Sequence, residues 1–198
     1  TQKQAEKISS SFSKGNIVID FAMRYGNPSI NSKIHKLHKM GCENLVILPL
    51  YPQYAAATTA TVCDEVYRTL MKMRWQPSLK IIPHYESDPF YIDALVNLAN
   101  LDLMEKNIND AKSKYDNALE LSKSKQTDEI IYTALGHYYQ QVGDFELALK
   151  NLYKVNEINP HNTTADKSIS LITKYKDKND DHIKTMLNKL NLNLSEDQ

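Results

Sequence analysis

Leu48-Pro49-Leu50-Tyr51-Pro52-Gln53-Tyr54 is the stretch from which the first half of this chain is read. Val46-Ile47-Leu48 is a short apolar run of the kind a buried parallel strand needs. Pro49 and Pro52 end it, because a proline cannot donate to a sheet ladder. In an open α/β sheet the loop beyond a strand's carboxyl end lines the ligand crevice. Upstream, Ile17-Val18-Ile19-Asp20-Phe21-Ala22-Met23 follows the same logic and breaks at Arg24-Tyr25-Gly26. Two strand ends are therefore expected to present Arg24, Tyr25, Tyr51 and Tyr54 to one site, with Thr58-Thr59 just beyond.

The flanking pattern supplies the rest of a half-domain. Residues 3–13 read as a helix with Ala5, Ile8 and Phe12 at spacings of three and four, ended by Lys14-Gly15-Asn16. A strand over 17–23 follows. A helix then begins with Pro28 in its first turn, carries Ile30, Ile34, Leu37 and Met40 on its buried stripe, and stops at Gly41. A strand over 44–50 completes a crossover that should be parallel. The next helix spans about 58–74, with Thr59 or Thr61 as cap and Val62, Val66, Leu70 and Met73 as its stripe. Residues 79–83 read as a third strand, and Asp88-Pro89 as the cap and first-turn proline of another helix. Three strands alternating with helices predict a partial α/β domain over residues 1–92 whose sheet keeps an open edge.

Several of these motifs together resemble the middle of a ferrochelatase, a family that inserts ferrous iron into protoporphyrin. They are Ala22-Met23-Arg24-Tyr25-Gly26-Asn27-Pro28-Ser29-Ile30, the Leu48–Tyr54 run, Thr58-Thr59, and Tyr85 with Asp88-Pro89-Phe90-Tyr91-Ile92. Thr1-Gln2-Lys3-Gln4-Ala5-Glu6 is similar to the family's helix at that point, so the likeness covers about residues 1–95. It implies a Rossmann-like three-layer domain with a porphyrin cleft. Arg24, Tyr25 and Tyr51 would line that cleft and, with Thr58 and Thr59, bind the porphyrin. No catalytic residue is implied, because the family's histidine, in a Ser-Phe-His-Gly type motif, and its partner glutamate have no counterpart in this sequence.

From Tyr91 onward the apolar residues keep helical period to Leu194. Ala111, Tyr115, Ala118 and Leu121 map onto Ala148, Leu152, Val155 and Ile158 at an offset of 37, as Leu98 does onto Leu135; a further 34 takes Leu135 to Ile169 and Tyr138 to Ile172. This is an internal repeat of paired helices. Ala134-Leu135-Gly136, Tyr139, Gly143-Asp144-Phe145-Glu146, Ala148 and Asn159-Pro160 closely resemble a tetratricopeptide repeat. Gly136 and Ala148 would let two helices approach, Gly143 would turn the chain, and Pro160 would stop the second helix. Ala99 stands where Gly136 does in a more degenerate first copy. The third copy comprises 164–175 and a helix near 181–190, split by Lys176-Asp177-Lys178-Asn179-Asp180. With Asp181-His182-Ile183, Met186 and Leu194-Ser195-Glu196, that segment resembles the repeat arm ahead of a sulfotransferase domain in some bacterial proteins. The expected division is thus 1–92, α/β, and 93–198, helical repeats, with Tyr91 to Ala94 serving both.

Composition narrows the function classes. Lys and Arg number 24, Asp and Glu 24, and the hydrophobic share is 41%, which directs nothing toward nucleic acid. Residues 1–88 hold 11 cations against 7 carboxylates and residues 89–198 hold 13 against 17, a mild compositional contrast between two segments. No apolar run reaches the ~18 residues of a membrane span. Cys42 and Cys63 form no CxxC pair and read as buried thiols of a reducing, cytoplasmic protein.

Each candidate group has a plainer reading beside the functional one. Arg24-Tyr25 suits a propionate, since a guanidinium fork fits a carboxylate and a phenol stacks and donates, and it equally suits tying down a loop. Tyr51 packs or faces a tetrapyrrole. Thr58-Thr59 caps a helix or offers amides to an anion. His35 and His38, at i and i+3 among Lys33, Lys36 and Lys39, read as a solvated face. His84, near Glu86 and Asp88, is too sparse for a metal site, and His137 reads as a packing or groove residue. No metal and no cofactor is assigned. Two function classes remain: a ferrochelatase-type haem-synthesis protein with a porphyrin ligand, and an adaptor holding a protein or peptide partner on the repeat face. A fusion of two gene fragments is the third possibility.

Overall fold

A computed structural model describes residues 2–12 and 16–196, with side chains through residue 191. The chain divides into two units, Thr1–Tyr85 and Glu86–Gln198.

The first unit begins with α1 (Gln2–Ser11), on which Ile8 and Phe12 are exposed; the expected stop at Lys14-Gly15 lies outside the described residues. The strand expected over 17–23 does not form. Residues 17–22 carry no ladder, Ile17 and Val18 are exposed, and pairing is limited to a bridge between Met23 and Ser29, where the Met23 amide donates to the Pro28 carbonyl at 2.7 Å. A strand is defined by its partner, and the apolar run finds none here. α2 (Ile30–Lys39) is capped by Ser29, whose hydroxyl accepts from the Ser32 amide, so Pro28 precedes the cap instead of opening the first turn. Ile30 and Ile34 are buried, Leu37 is half-buried and Met40 exposed, and Gly41, at φ 81°, follows as the stop.

β1 (Asn44–Ile47) pairs in parallel with β2 (Ser78–Ile81), in the register Asn44↔Ser78 to Ile47↔Ile81. The described sheet thus has two strands, where the sequence predicts three. Between them a π-type turn over Ala56–Ala60 runs directly into α3 (Thr61–Met73). Neither Thr59 nor Thr61 caps that helix, because the backbone is already helical through Ala60; the Thr61 hydroxyl donates back to the Thr58 carbonyl at 2.9 Å. Ile30, Ile34, Val62, Val66 and Leu70 form the unit's core, with Trp75, Leu79 and Ile81 packed against it. Cys42 and Cys63 are free and half-buried, less enclosed than the sequence suggests.

The second unit is helical: α4 (Pro89–Met104), α5 (Ile108–Leu121), α6 (Lys125–Val142), α7 (Phe145–Ile158), α8 (Thr163–Ile172) and α9 (Asp181–Glu196). Asp88 caps α4 through the Phe90 amide, with Pro89 in the first turn as expected. The expected boundary at residue 92 falls inside this helix. α4 packs on α5, α6 on α7 and α7 on α8. The residues matched at the 37-residue offset share their burial: Ala111, Tyr115 and Ala118 are buried, as are Ala148, Leu152 and Val155. Leu98 departs from its partner, being 46% exposed where Leu135 is 3% exposed, while its neighbour Ala99 is buried like Gly136. A Cβ on Gly136 would meet Leu152 Cδ2 at 2.6 Å, so α6 and α7 approach as the glycine suggests. Gly143, at φ 84°, ends α6 in the left-handed region that a side chain disfavours.

Candidate functional site

Arg24 and Tyr25 open a short loop that the Met23–Pro28 hydrogen bond closes. The guanidinium lies over the Tyr25 ring, 4.6 Å from its centroid, an attraction between cation and ring face. Its Nη1 is 4.0 Å from Oε2 of Glu65 on α3, and that same oxygen accepts from Arg68 Nη1 at 2.7 Å. Glu65 therefore ties the loop to α3, a link the sequence does not announce. The Arg24 Nε is buried without a hydrogen-bond partner among the described residues. Tyr25 is 71% exposed and offers a free aromatic face.

The proline loop follows β1. Pro49 is buried, whereas Leu48, Leu50, Tyr51 and Tyr54 are exposed. The Pro52 carbonyl accepts from the Tyr85 amide at 2.8 Å, which pins this loop to the segment after β2. The proline loop thus lies beyond the end of β1 as expected, whereas the Arg24 loop follows an isolated bridge and not a strand, and no contact joins Tyr51 to Arg24 or Tyr25 among the interactions described.

Thr58 and Thr59 differ in environment. Thr58 spends its amide and its hydroxyl on the Ala55 carbonyl, at 3.1 and 3.3 Å. Thr59 is fully buried, and its hydroxyl has no partner among the described residues. A buried hydroxyl without a partner is costly.

On the approach to the Arg24 loop, Asp20 accepts from Lys33 at 2.6 Å and Lys36 at 2.9 Å, both on α2. Burial by itself would raise the Asp20 carboxyl; the two ammoniums and the Phe21 amide outweigh it and bring the pKa down to about 2. The sequence hides this clamp, since Lys33 and Lys36 look like one solvated face. His35 and His38 are indeed exposed, and His38 packs on Trp75 at 4.4 Å between ring centroids. No group of three or more His, Cys, Asp or Glu able to hold a metal occurs among the described residues.

Two hollows are open on the surface. One, of about 410 Å³, lies between α1 and residues 19–21. The other, of about 500 Å³, is lined by Asn109, Lys112, Ser113, Asp116, Asn117 and Glu120 of α5 with Tyr138 of α6. Neither takes in Arg24, Tyr25, Tyr51, Thr58 or Thr59. His137 of α6 is half-buried, its ring nitrogen Nε2 3.2 Å from the Ser168 hydroxyl, and burial lowers its pKa.

The Ferrochelatase family profile matches residues 1–122. The chain belongs to the ferrochelatase family. The ferrochelatase of Allorhizobium ampelinum is 56% identical over 108 residues, 52% of this chain and 31% of that protein. The ferrochelatase of Rhizobium meliloti is 54% identical over 101 residues, covering 50% and 30% of the two chains. A Rhodopseudomonas palustris ferrochelatase is 51% identical over 104 residues, covering 52% and 30%. The chain thus spans about a third of the length of the curated relatives it matches, and residues 1–122, which the family profile matches, include Arg24, Tyr25, Tyr51, Thr58 and Thr59. No helix among the described residues is long and apolar enough to cross a membrane.

Proposed function

We propose that the first unit of this chain is a porphyrin-binding element of ferrochelatase type. The observation that carries this reading is the family match over residues 1–122, which contain the Arg24 loop and the proline loop, beside relatives about half identical to the chain. Arg24 takes a propionate carboxylate of the porphyrin. Its stack on Tyr25 limits the guanidinium's freedom before binding, so less entropy is lost on pairing. Tyr25 and Tyr51 give flat aromatic faces to a flat macrocycle. Thr58 and Thr59 shape the wall beside them, Thr59 from a buried position.

These 198 residues supply binding and not the proton-accepting step. Metal insertion requires a base that takes the pyrrole protons, held within hydrogen-bond reach and with a pKa near the working pH. The family's histidine motif does not occur in this sequence, and His84, exposed after β2, belongs to no metal-holding group among the described residues. Titration with protoporphyrin should therefore shift its Soret band weakly, less so for Arg24→Ala and Tyr51→Ala, with no haem formed when ferrous iron is added. Equal binding by both variants rejects the site. Sustained haem formation abolished by His84→Ala rejects the division between binding and chemistry.

A second reading concerns the other unit. Its helices pack in successive pairs, Gly136 meets Leu152 at the α6–α7 crossing, and Gly143 makes the turn, all of which support tetratricopeptide-type repeats acting as an adaptor for a protein or peptide. The polar hollow between α5 and α6 is the natural seat for such a partner. Asp116 and Glu120 outnumber Lys112 in the hollow's lining, so Glu120→Lys should weaken capture of basic peptides if this is so, and indifference to the sign of that charge opposes it.

A further inference from the structure

Helix α9 is fastened to its neighbours by charge. Its inward residues His182 and Lys189 are 7% and 9% exposed, and both reach one carboxylate, Asp166 of α8, which is 4% exposed. Lys189 Nζ lies 2.6 Å from Asp166 Oδ2. His182 Nε2 is 3.3 Å from Oδ1, which also accepts from Asn156 Nδ2 of α7 at 2.7 Å. The other imidazole nitrogen, Nδ1, is 2.5 Å from the Tyr175 hydroxyl; the Tyr175 ring stacks on the imidazole, and the Tyr153 ring of α7 meets it edge-on. The His182 amide donates to Asp180 Oδ1 at 2.9 Å. Of the apolar residues of α9 with described side chains, Leu187 and Leu190 are 52% and 56% exposed, and Ile183 and Met186 are only half-buried, so the buried contacts of the helix are the charged ones.

His182 and Lys189 are two helical turns apart, on one face, and converge on a single acceptor. A buried carboxylate is tolerated only while it is paired, and removing one partner of such a cluster leaves an uncompensated charge. Docking of α9 therefore turns on Asp166, the one carboxylate that His182 and Lys189 share. The connection over residues 173–180 is rich in charge and is not helical, so it allows α9 to leave without unwinding α8.

We propose that Asp166 anchors a detachable terminal helix. α9 docks and releases as a unit of its own through the Asp166–Lys189–His182 cluster, while α6 and α7 stay folded. With α9 docked, the Asp166 carboxylate is buried; with it released, that carboxylate and the face of α8 around it are open.

Amide hydrogen exchange read by mass spectrometry on the full chain tests this, with Asp166→Asn and Lys189→Met beside the unaltered protein. Both variants should speed exchange over residues 181–191 at least tenfold while leaving 125–158 unchanged. Unchanged protection of 181–191 overturns the proposal, as does acceleration there that runs in step with 125–158. Should Asp166→Asn unfold the whole helical unit, Lys189→Met decides, since it leaves α8 untouched: a tenfold local effect upholds the anchor and its absence removes it.

Discussion

Adding one methyl at Gly136 measures how closely α6 and α7 must approach. The new Cβ would sit 2.6 Å from Leu152 Cδ2 and 2.7 Å from Leu152 Cγ, well inside van der Waals contact. The outer atom could swing aside, but Cγ moves only if the whole side chain changes rotamer, and Leu152 is fully buried. Either Leu152 is forced off its rotamer or the helices part, and such overpacking costs about 1–3 kcal/mol. Opposing it, Ala in place of Gly in a helix interior gains about 1 kcal/mol. With two atoms of a fully buried leucine closer than 3 Å, the upper part of that range applies, about 2–3 kcal/mol, and the expected balance for Gly136→Ala is a loss of about 1–2 kcal/mol. In a unit of roughly a hundred residues that lowers Tm by about 4–10 °C, read by far-UV circular dichroism. In a Leu152→Ala background, where room has been made, the same methyl should be neutral or stabilising. A Tm that rises or holds in the otherwise unaltered protein would show that propensity wins and the crossing is looser than described.

Acid should unfasten the Asp20 clamp. Because the Asp20 pKa is lowered to about 2, its stabilisation is complete above the ordinary carboxylate range and is lost as pH falls through about 4 to 2. The Tm gap between the unaltered protein and Asp20→Asn should therefore be widest near neutrality and close over that window, and a gap independent of pH contradicts the clamp. The two units should also differ when expressed separately. Residues 86–198 should be helical and melt cooperatively, since stacked helix pairs bury their interfaces locally. Residues 1–85, with a two-stranded parallel sheet and Val46 68% exposed, should lack a cooperative transition and tend to aggregate. A cooperative, monomeric 1–85 beside an unfolded 86–198 reverses that expectation.

What the sequence discloses and what it hides divide along the range of the interactions concerned. Helix periods, the Asp88-Pro89 start of α4 and the Gly143 turn are local, and the structure places them where the spacing says. The strand over 17–23 is misread because an apolar run states a preference while a ladder needs a second strand, and among the described residues only Met23 finds a partner. Thr58-Thr59 looks like a cap, yet the backbone passes through it in a wide helical turn into α3. Glu65 and Asp166 escape notice for another reason: a charged residue in a helix usually faces water, and nothing nearby in sequence announces partners 41 and 23 residues away, at Arg24 and Lys189. Of the candidate site, Arg24 and Tyr25 are legible as a pair and Tyr51 as a strand-end aromatic. Their mutual distance depends on how both loops are pinned, which no local pattern encodes.

The reading of the first unit rests on a carboxylate meeting Arg24, and comparing protoporphyrin with its dimethyl ester isolates that contact. The ester keeps the macrocycle and masks both propionates, so stacking on Tyr25 and Tyr51 is retained while the charge-assisted bond is lost. Such a bond contributes about 1.5–3 kcal/mol, so the chain should bind the free acid at least about tenfold more tightly. In Arg24→Ala the two ligands should bind alike. An undiminished preference for the free acid in Arg24→Ala, or no preference in the unaltered chain, contradicts the account.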